Sequence, residues 1–156
     1  MKRPELLSPA GSFRAMRYAF AYGADAVYAG LPKYSLRARN NEFKSSIFLQ
    51  EGIDEAHSKG KKLYVTANLL PHYQKVNSFI RDIEEVVNMK PDALIMADPG
   101  LIMMVRDKWP EMPIHLSVQM NTLNHMAVKF WQKIGVERII LSRELALDEV
   151  EYIRQE

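Results

Sequence analysis

The chain has 156 residues, of which 47% are hydrophobic and 26% are charged, and its formal net charge is +2. This length and apolar content are typical of one domain with a sizeable core, whereas the charge is too small to indicate nucleic-acid binding by itself. The sequence has no cysteine, which excludes disulfides and cysteine-ligated metals, and it has neither an apolar run of ~20 residues nor a secretory signal, so we expect a cytoplasmic protein without a membrane span.

Predicted strands and helices alternate along the whole chain. The strands begin near residues 5, 25, 62, 93, 114 and 138, and the helices follow at 13–22, 46–59, 76–89, 101–109, 125–134 and 146–156. Ser12 can cap the first helix, and helices are expected to end at Gly23, Gly60 and Gly135. Alternation at this spacing is typical of βα units that build a parallel sheet.

Two architectures are compatible with about six βα units: an open doubly wound sheet, and a partial (β/α)8 barrel of the TIM type. A doubly wound nucleotide-binding protein is expected to carry a phosphate loop such as GxGxxG or GxxxxGK(S/T). The sequence contains neither motif, so we predict the barrel.

The segment IHLSVQMN, residues 114–121, alternates polar and apolar side chains. Successive side chains of a strand point to opposite faces. A barrel strand packs one face against the outer helices and directs the other into the lumen, whose C-terminal end forms the active site. We therefore predict that Leu116 and Val118 pack under helices, and that the lumen is lined by His115, Ser117 and Gln119.

Polar residues and glycines collect where the predicted strands finish. They are Ser8, Gly11, Tyr28, Gly30, Thr66, Asn68, Asp98, Gly100, Gln119, Asn121, Ser142, Arg143 and Glu144. In a barrel, the carboxyl ends of all strands meet at one rim, where the chemistry of this fold is placed. Short polar residues after strands are also common turn formers and helix caps, so a structural role is the alternative for each of them.

The length of the chain bears on its completeness. A closed barrel typically needs about 250 residues, and this chain ends within the sixth predicted helix. We therefore expect an N-terminal barrel fragment of a longer protein. The alternative is an open six-stranded sheet. Open sheet edges invite pairing with another chain, so a homo-oligomer formed through these edges is a further expectation.

The sequence also resembles a known family, on the evidence of segments from five of the six predicted strands and from the loop after the second strand. These segments, in order, are ELLSPAG, GADAVYAG, SLRARNNEF, ALIMADPG, IHLSVQMN and RIILSREL. They resemble the N-terminal part of the collagenase-like peptidase family, peptidase family U32. Within this family, the chain is most similar to the branch that takes part in hydroxylating the wobble uridine of tRNA.

This resemblance implies a function for the parent protein. The tRNA branch is linked to 5-hydroxyuridine formation without molecular oxygen, with prephenate as a required metabolite. Longer members carry a downstream cysteine set connected with an iron–sulfur cluster, whereas we expect no cofactor in this cysteine-free chain. The alternatives are a peptidase, as the family is named, and a non-catalytic scaffold that binds a metabolite and RNA. The fragment alone is expected to be inactive.

Candidate site residues are those that match the family motifs. The catalytic candidates are His115, Gln119 and Asp98. The substrate-binding candidates are Glu5, Ser8, Tyr28, Arg37, Asn68, Ser117, Asn121, Ser142, Arg143 and Glu144; no metal site is expected. Arg37 and Arg143 can grip the carboxylates of a diacid such as prephenate, and His115 can transfer a proton if its pKa stays near neutrality.

These assignments have structural alternatives. Arg143 and Glu144 can form a surface ion pair, and Asp98 can cap the following helix. His115 can equally be a buried structural residue.

A peptidase mechanism finds little support in the sequence. A serine peptidase needs its nucleophile and base within about 2.6–3.2 Å of each other, but His115 and Ser117, two residues apart on one strand, have Cα atoms separated by roughly 6.6 Å. Ser8 or Ser142 could meet His115 across the lumen, but no third group is evident to orient the imidazole. The sequence contains no GxSxG or HExxH motif, so we infer no peptidase chemistry.

The loop from residue 33 to residue 44 is the candidate RNA-binding segment. Its basic residues are Lys33, Arg37, Arg39 and Lys44, with Tyr34 and Phe43 between them. Basic and aromatic residues together can follow a phosphate backbone and stack on bases. The alternative is a solvated loop whose aromatic side chains pack on the barrel.

Overall fold

The computed structural model describes residues 3–31, 33–36, 42–43 and 45–156. Strands and helices alternate through these ranges. In chain order they are β1 Leu7–Pro9, α1 Phe13–Ala21, β2 Ala26–Gly30, α2 Ser46–Ser58, β3 Lys62–Ala67, α3 Tyr73–Asn88, β4 Ala93–Met96, α4 Pro99–Lys108, β5 Ile114–Leu116, α5 His125–Lys133, β6 Arg138–Ile139 and α6 Leu147–Gln155.

Within the described ranges, six strands form one sheet in the order β1-β2-β3-β4-β5-β6. Every neighbouring pair is parallel. A doubly wound sheet reverses its strand order at a switch point, whereas a barrel adds each strand beside the previous one. The consecutive order therefore confirms the predicted partial TIM-type barrel, which here forms a half-barrel.

The main core lies between the convex face of the sheet and the helices. Leu63 and Val65 of β3 are fully buried there, together with Ile53 of α2 and Phe79 of α3. Each such side chain contributes about 1.5–3 kcal/mol on burial, so this layer is the main source of stability. It holds the strands in the curvature that creates a lumen on the opposite face.

The predicted Ser12 cap and the three predicted glycine ends agree with the structure, whereas α3 begins three residues before its predicted start. Ser12 accepts a hydrogen bond from the backbone N–H of Ala15 at 3.0 Å and caps α1. Gly23, Gly60 and Gly135 follow the ends of α1, α2 and α5 with φ angles of +96°, +63° and +87°. Residues that carry a side chain rarely adopt a positive φ angle, which explains why glycine is found at each of these helix ends.

The predicted fifth strand is longer than the observed one. β5 ends at Leu116, and Val118–Met120 forms a 3₁₀ turn. Asn121 closes the turn with φ 47° and ψ 50°, a left-handed conformation that asparagine tolerates. The strand alternation therefore ends before Val118, which does not pack as a strand residue, and the turn moves Gln119 onto the edge of the lumen.

The sixth strand is also shorter than predicted, since β6 covers only Arg138–Ile139. Its ladder with β5 extends over His115 and Leu116. Because β5 ends at Leu116, the pairing of β6 with β5 stops at Ile139.

Candidate functional site

The lumen-facing side chains are identified by strand register. Tyr28 lies beside Tyr64 across β2 and β3, and Ile95 lies beside His115 across β4 and β5. Tyr28, Tyr64 and Ile95 belong to a small apolar cluster that is separate from the main core. The lumen-facing residues form two levels, one at each end of the strands.

The lower level, which we call the lumen floor, consists of Glu5, Lys62, Tyr64 and Arg138. The carboxylate of Glu5 accepts hydrogen bonds from Tyr64 Oη at 2.7 Å, Arg138 Nη1 at 2.5 Å and Lys62 Nζ at 3.1 Å. Burial alone would raise the pKa of Glu5, but these hydrogen bonds lower it to about 2. Glu5 is therefore an anion that joins β1 to β3 and β6.

No local sequence pattern predicts the lumen floor as a unit, and the family resemblance places Glu5 among the substrate-binding candidates. Lys62 and Arg138 are the first residues of β3 and β6. The structure thus places Glu5 at the N-terminal end of the strands, away from the rim. The segment KLYVTA alternates Lys62, Tyr64 and Thr66 with apolar residues, so the same pattern that singled out the fifth strand was available here.

His115 lies beside Arg138 of the lumen floor in the sheet register. Its side chain is 3% exposed, and its ring meets the Tyr64 ring edge-on with 4.7 Å between the centroids. Burial, together with the nearby charges of Arg138 and Lys62, lowers the pKa of His115 to about 4. The imidazole is therefore neutral at neutral pH, and the condition of a near-neutral pKa for proton transfer is not met.

The upper level, which we call the rim cluster, consists of Asn68, Ser117 and Gln119. Asn68 Nδ2 donates to Ser117 Oγ at 3.3 Å, and Ser117 Oγ donates to Gln119 Oε1 at 3.2 Å. The rim cluster therefore extends from the end of β3, across β4, to the turn after β5. It contains no charged group.

The rim cluster retains unused hydrogen-bonding capacity. Ser117 is 3% exposed, whereas Asn68 and Gln119 are half-buried. Within the described ranges, the Nε2 group of Gln119 makes no hydrogen bond, and the other bond to the Asn68 side chain comes from the Leu36 N–H at 3.4 Å. Bonds of this length are weak, so the two amides keep donor and acceptor capacity beyond these contacts.

A second hydroxyl pair supports the neighbouring loop. Ser35 Oγ and Thr66 Oγ1 are 2.8 Å apart and both residues are buried. Thr66 also donates to the Ala29 carbonyl at 3.2 Å. This pair ties the loop after β2 to the end of β3, beside Asn68. The short distance and the burial of both hydroxyls indicate that this pair supports the rim cluster structurally.

Asp98 and Ser8 do not point to the rim cluster. Asp98 Oδ1 accepts the Leu101 N–H at 2.9 Å, so its carboxylate caps α4, as the structural alternative predicted. Ser8 lies beside Val27 in the sheet register, and Val27 belongs to the core under the helices. Ser8 therefore faces away from the lumen and does not meet His115.

The remaining rim candidates follow β5 and β6. Ser142 is buried; its N–H donates to the Thr122 carbonyl at 3.3 Å, and its Oγ accepts the Glu144 N–H at 3.4 Å. Arg143, Glu144 and Asn121 are exposed. In the described part of the chain no ion pair joins Arg143 to Glu144, so the structure does not support that alternative.

The RNA-binding segment is described only in part. Arg37, Arg39 and Lys44 lie outside the described residues. Lys33 is paired with Asp82 and donates to Ser78 Oγ at 3.0 Å, so its charge is already matched. Tyr34 and Phe43 are 0% and 1% exposed. Both rings are therefore buried and not presented for stacking on bases, which agrees with the alternative of aromatic side chains packed on the barrel.

A peptidase arrangement is not observed in the described ranges. No hydrogen bond there joins a serine to His115, and Ser117 bonds to amides instead. No group of three or more His, Asp or Glu side chains that could hold a metal ion is found among those residues. Among the described residues, every helix is too short or too polar to span a bilayer.

These features define the class of protein: a (β/α) half-barrel with an ion-paired floor and an uncharged polar cluster at its rim. The chain belongs to peptidase family U32, whose family model matches residues 11–156. A solved U32 peptidase shares 13% sequence identity with it and superposes with a TM-score of 0.80, over 98% of this chain and 65% of that one. This structural likeness supports the fold alone.

Two curated relatives from Escherichia coli (strain K12) are similar in sequence. The tRNA hydroxylation protein P is 65% identical over 156 residues, covering 100% of this chain and 34% of that protein. A 23S rRNA 5-hydroxycytidine synthase is 35% identical over 153 residues, covering 98% of this chain and 23% of that enzyme. The predicted family and branch are thereby confirmed. The chain spans about a third of the length of the tRNA hydroxylation protein.

Proposed function

We propose that this chain is the N-terminal barrel part of a protein that takes part in 5-hydroxylation of the wobble uridine of tRNA. The rim cluster, in this proposal, contacts the target base. Relatives that span the whole chain are named for hydroxylation of tRNA and for 5-hydroxycytidine formation in rRNA. The shared element of these names is a hydroxylated RNA nucleoside.

The observation that carries this proposal is the uncharged character of the rim cluster. A uracil edge presents a carbonyl oxygen, an N–H and a second carbonyl oxygen. One side-chain amide offers a donor and an acceptor side by side, so Asn68 or Gln119 can pair with an N–H and a carbonyl of the base. Sequence-specific RNA recognition commonly uses such contacts with unstacked bases.

The experiment is nucleoside mass spectrometry of bulk tRNA. The host would lack the full-length gene and grow without oxygen, so that any oxygen-dependent route to the same nucleoside is silent. We expect 5-hydroxyuridine and its derivatives to disappear in this host and to return with the wild-type gene. Asn68→Ala and Gln119→Ala should fail to restore it, whereas Gln132→Ala, an exposed amide on α5, should restore it. An unchanged nucleoside level in the deletion host would refute the proposal.

A finer part of this proposal is that the rim also binds a dicarboxylate metabolite such as prephenate. Of the two arginines predicted to bind its carboxylates, Arg143 lies among the residues that the structure describes. It is exposed after β6 and would bind a carboxylate at the rim. Calorimetric titration of the full-length protein with prephenate tests this assignment. Arg143→Gln should weaken binding, and Arg154→Gln, on α6, should not. Equal affinities of the two variants would contradict the role of Arg143.

Three expectations remain predictions. An iron–sulfur cluster of the full-length protein would need ligands from outside this sequence, because the residues present here include no cysteine. Self-association through the edges of β1 and β6 and a cytoplasmic location are likewise untested.

A further inference from the structure

The outer surface of α1 carries a row of exposed planar side chains. Arg14, Tyr18 and Tyr22 are spaced by four residues, so they lie along one side of the helix. Tyr18 is 53% exposed and Tyr22 is 84% exposed. Met16, on the opposite side, is fully buried in the main core. The row therefore plays no part in holding α1 on the sheet.

The side chains of this row contact one another. The Arg14 guanidinium carbon lies 5.7 Å from the centre of the Tyr18 ring. The Tyr18 and Tyr22 rings are inclined by only 24°, with 6.5 Å between their centroids. Two similarly oriented rings and a guanidinium are thus presented to solvent as a continuous strip, which we call the α1 strip.

All charged residues of α1 are basic. The helix carries two arginines and no acidic residue. Arg17, on the side that faces α2, forms an ion pair with Glu55 at 2.8 Å. Arg14 has no ion pair within the part of the chain that the structure describes. The α1 strip therefore combines an unmatched cation with two aromatic faces.

The position of the α1 strip relates it to the rim. α1 follows directly after β1, so Arg14, in its first turn, lies near the C-terminal end of the barrel. Tyr22, the cap residue of α1, lies eight positions after Arg14, and at ~1.5 Å per residue the strip is about 12 Å long. This is close to the rise of three stacked nucleotides at ~3.4 Å each.

We propose that the α1 strip binds unpaired tRNA nucleotides that flank the target base, with Arg14 on a phosphate and Tyr18 and Tyr22 stacked on bases. Cations that follow the backbone and aromatic rings that stack on bases are the usual means of binding single-stranded RNA. This proposal rests on the proposed function, since it assumes that the rim receives a tRNA base.

The test is tRNA binding by the full-length protein, measured by fluorescence anisotropy over a range of salt concentrations. Because each ring that stacks on a base adds to the affinity, Tyr18→Ala with Tyr22→Ala should weaken binding roughly ten-fold or more. The double phenylalanine variant keeps both rings and should bind like the wild type. Arg14→Gln should lower the salt slope by about 0.7 to 0.9, whereas the double alanine variant should leave it unchanged.

Matched controls exist on other helices. Tyr152 on α6 is 53% exposed, the same fraction as Tyr18, and Arg154 on α6 is exposed. Tyr152→Ala and Arg154→Gln should leave affinity and salt slope unchanged. The proposal is overturned if the double alanine variant binds tRNA like the wild type. A double alanine variant with a lower melting temperature and unchanged affinity would likewise overturn it, since the strip would then pack against another part of the protein.

The two proposals fail in different ways. Loss of 5-hydroxyuridine on gene deletion, with tRNA binding insensitive to the α1 strip, would refute the strip and leave the proposed function standing. An unchanged nucleoside level on deletion would refute the proposed function itself.

Discussion

The two ends of the lumen are built from different chemistry. At the lumen floor, Glu5 binds Tyr64, Arg138 and Lys62 through hydrogen bonds of 2.5–3.1 Å. At the rim cluster, neutral groups meet at 3.2–3.3 Å. Charge-assisted hydrogen bonds are shorter and stronger than neutral ones. The polar groups of the floor are therefore held by one another, whereas the rim cluster is held only weakly and keeps spare donor and acceptor capacity.

This difference follows the division of roles in barrel proteins, where the N-terminal end serves stability and the C-terminal end serves chemistry. It also separates the candidate residues into two experimental groups. Changes at the floor should reduce stability, and changes at the rim should reduce function. The following predictions test that separation, beginning with the largest expected effect.

The largest effect concerns His115 and pH. Its pKa is lowered from 6.5 to about 4 in the folded protein, so the unfolded chain binds a proton at a higher pH than the folded one. The stability that this neutral imidazole provides is complete above pH 6.5 and is lost as the pH falls to about 4, by roughly 3 kcal/mol. Urea unfolding between pH 7 and pH 4 measures the loss, and His115→Gln should show a flatter profile than the wild type. Equal profiles would show that His115 is not buried as a neutral group.

Removing the charge at the lumen floor should have the next largest effect on stability. Glu5→Gln leaves Arg138 and Lys62 without their anion, and we expect a loss of about 2 kcal/mol at pH 7, less than for a fully buried pair because both cations are partly exposed. Urea unfolding checks this value. Glu84→Gln, which breaks an exposed pair with Lys108, should cost less than about 1 kcal/mol.

The effect of Glu5→Gln should also depend on pH. The pKa of Glu5 is lowered from 4.5 to about 2 in the folded protein. Its stabilisation is therefore complete above pH 4.5 and disappears as the pH falls toward 2, so wild type and variant should converge in acid. A difference that stays constant down to pH 2 would contradict the proposed ionic role.

A rim substitution should show the opposite pattern. Ser117→Ala removes the hydroxyl that links Asn68 to Gln119, and the expected loss of stability is only about 1 kcal/mol. Under the proposed function, the same variant should lower the 5-hydroxyuridine content of tRNA more than Glu5→Gln does, at equal amounts of folded protein. Mass spectrometry and unfolding of the same two variants provide the comparison. A larger functional loss in Glu5→Gln would reverse the assignment of the two ends.

The smallest effect is expected at Asp98. Asparagine caps helices about as well as aspartate, so Asp98→Asn should keep the stability within a few tenths of a kcal/mol, whereas Asp98→Ala should cost about 1 kcal/mol. If Asp98 is only a cap, Asp98→Asn also retains tRNA hydroxylation. A stable Asp98→Asn variant without hydroxylation would instead support the catalytic role that the sequence suggested.

Local sequence patterns determined the order of elements and the ends of helices in this protein. Alternating strand and helix segments predicted consecutive βα units. Strands and helices bury their side chains with different periods, and each period is visible in the sequence. Gly23, Gly60 and Gly135 marked helix ends because their positive φ angles disfavour other residues. These signals act over a few residues, so one sequence is sufficient to detect them.

The tertiary structure decided which polar residues meet. Glu5 and Arg138 are 133 residues apart, and only the curvature of the sheet brings them together. The end of β5 at Leu116 likewise depends on a turn closed by Asn121 in a left-handed conformation. Tyr34 and Phe43 pack into the core rather than onto RNA because helices beside the loop provide buried sites for them. Contacts of this kind depend on the positions of distant elements, which no local pattern encodes.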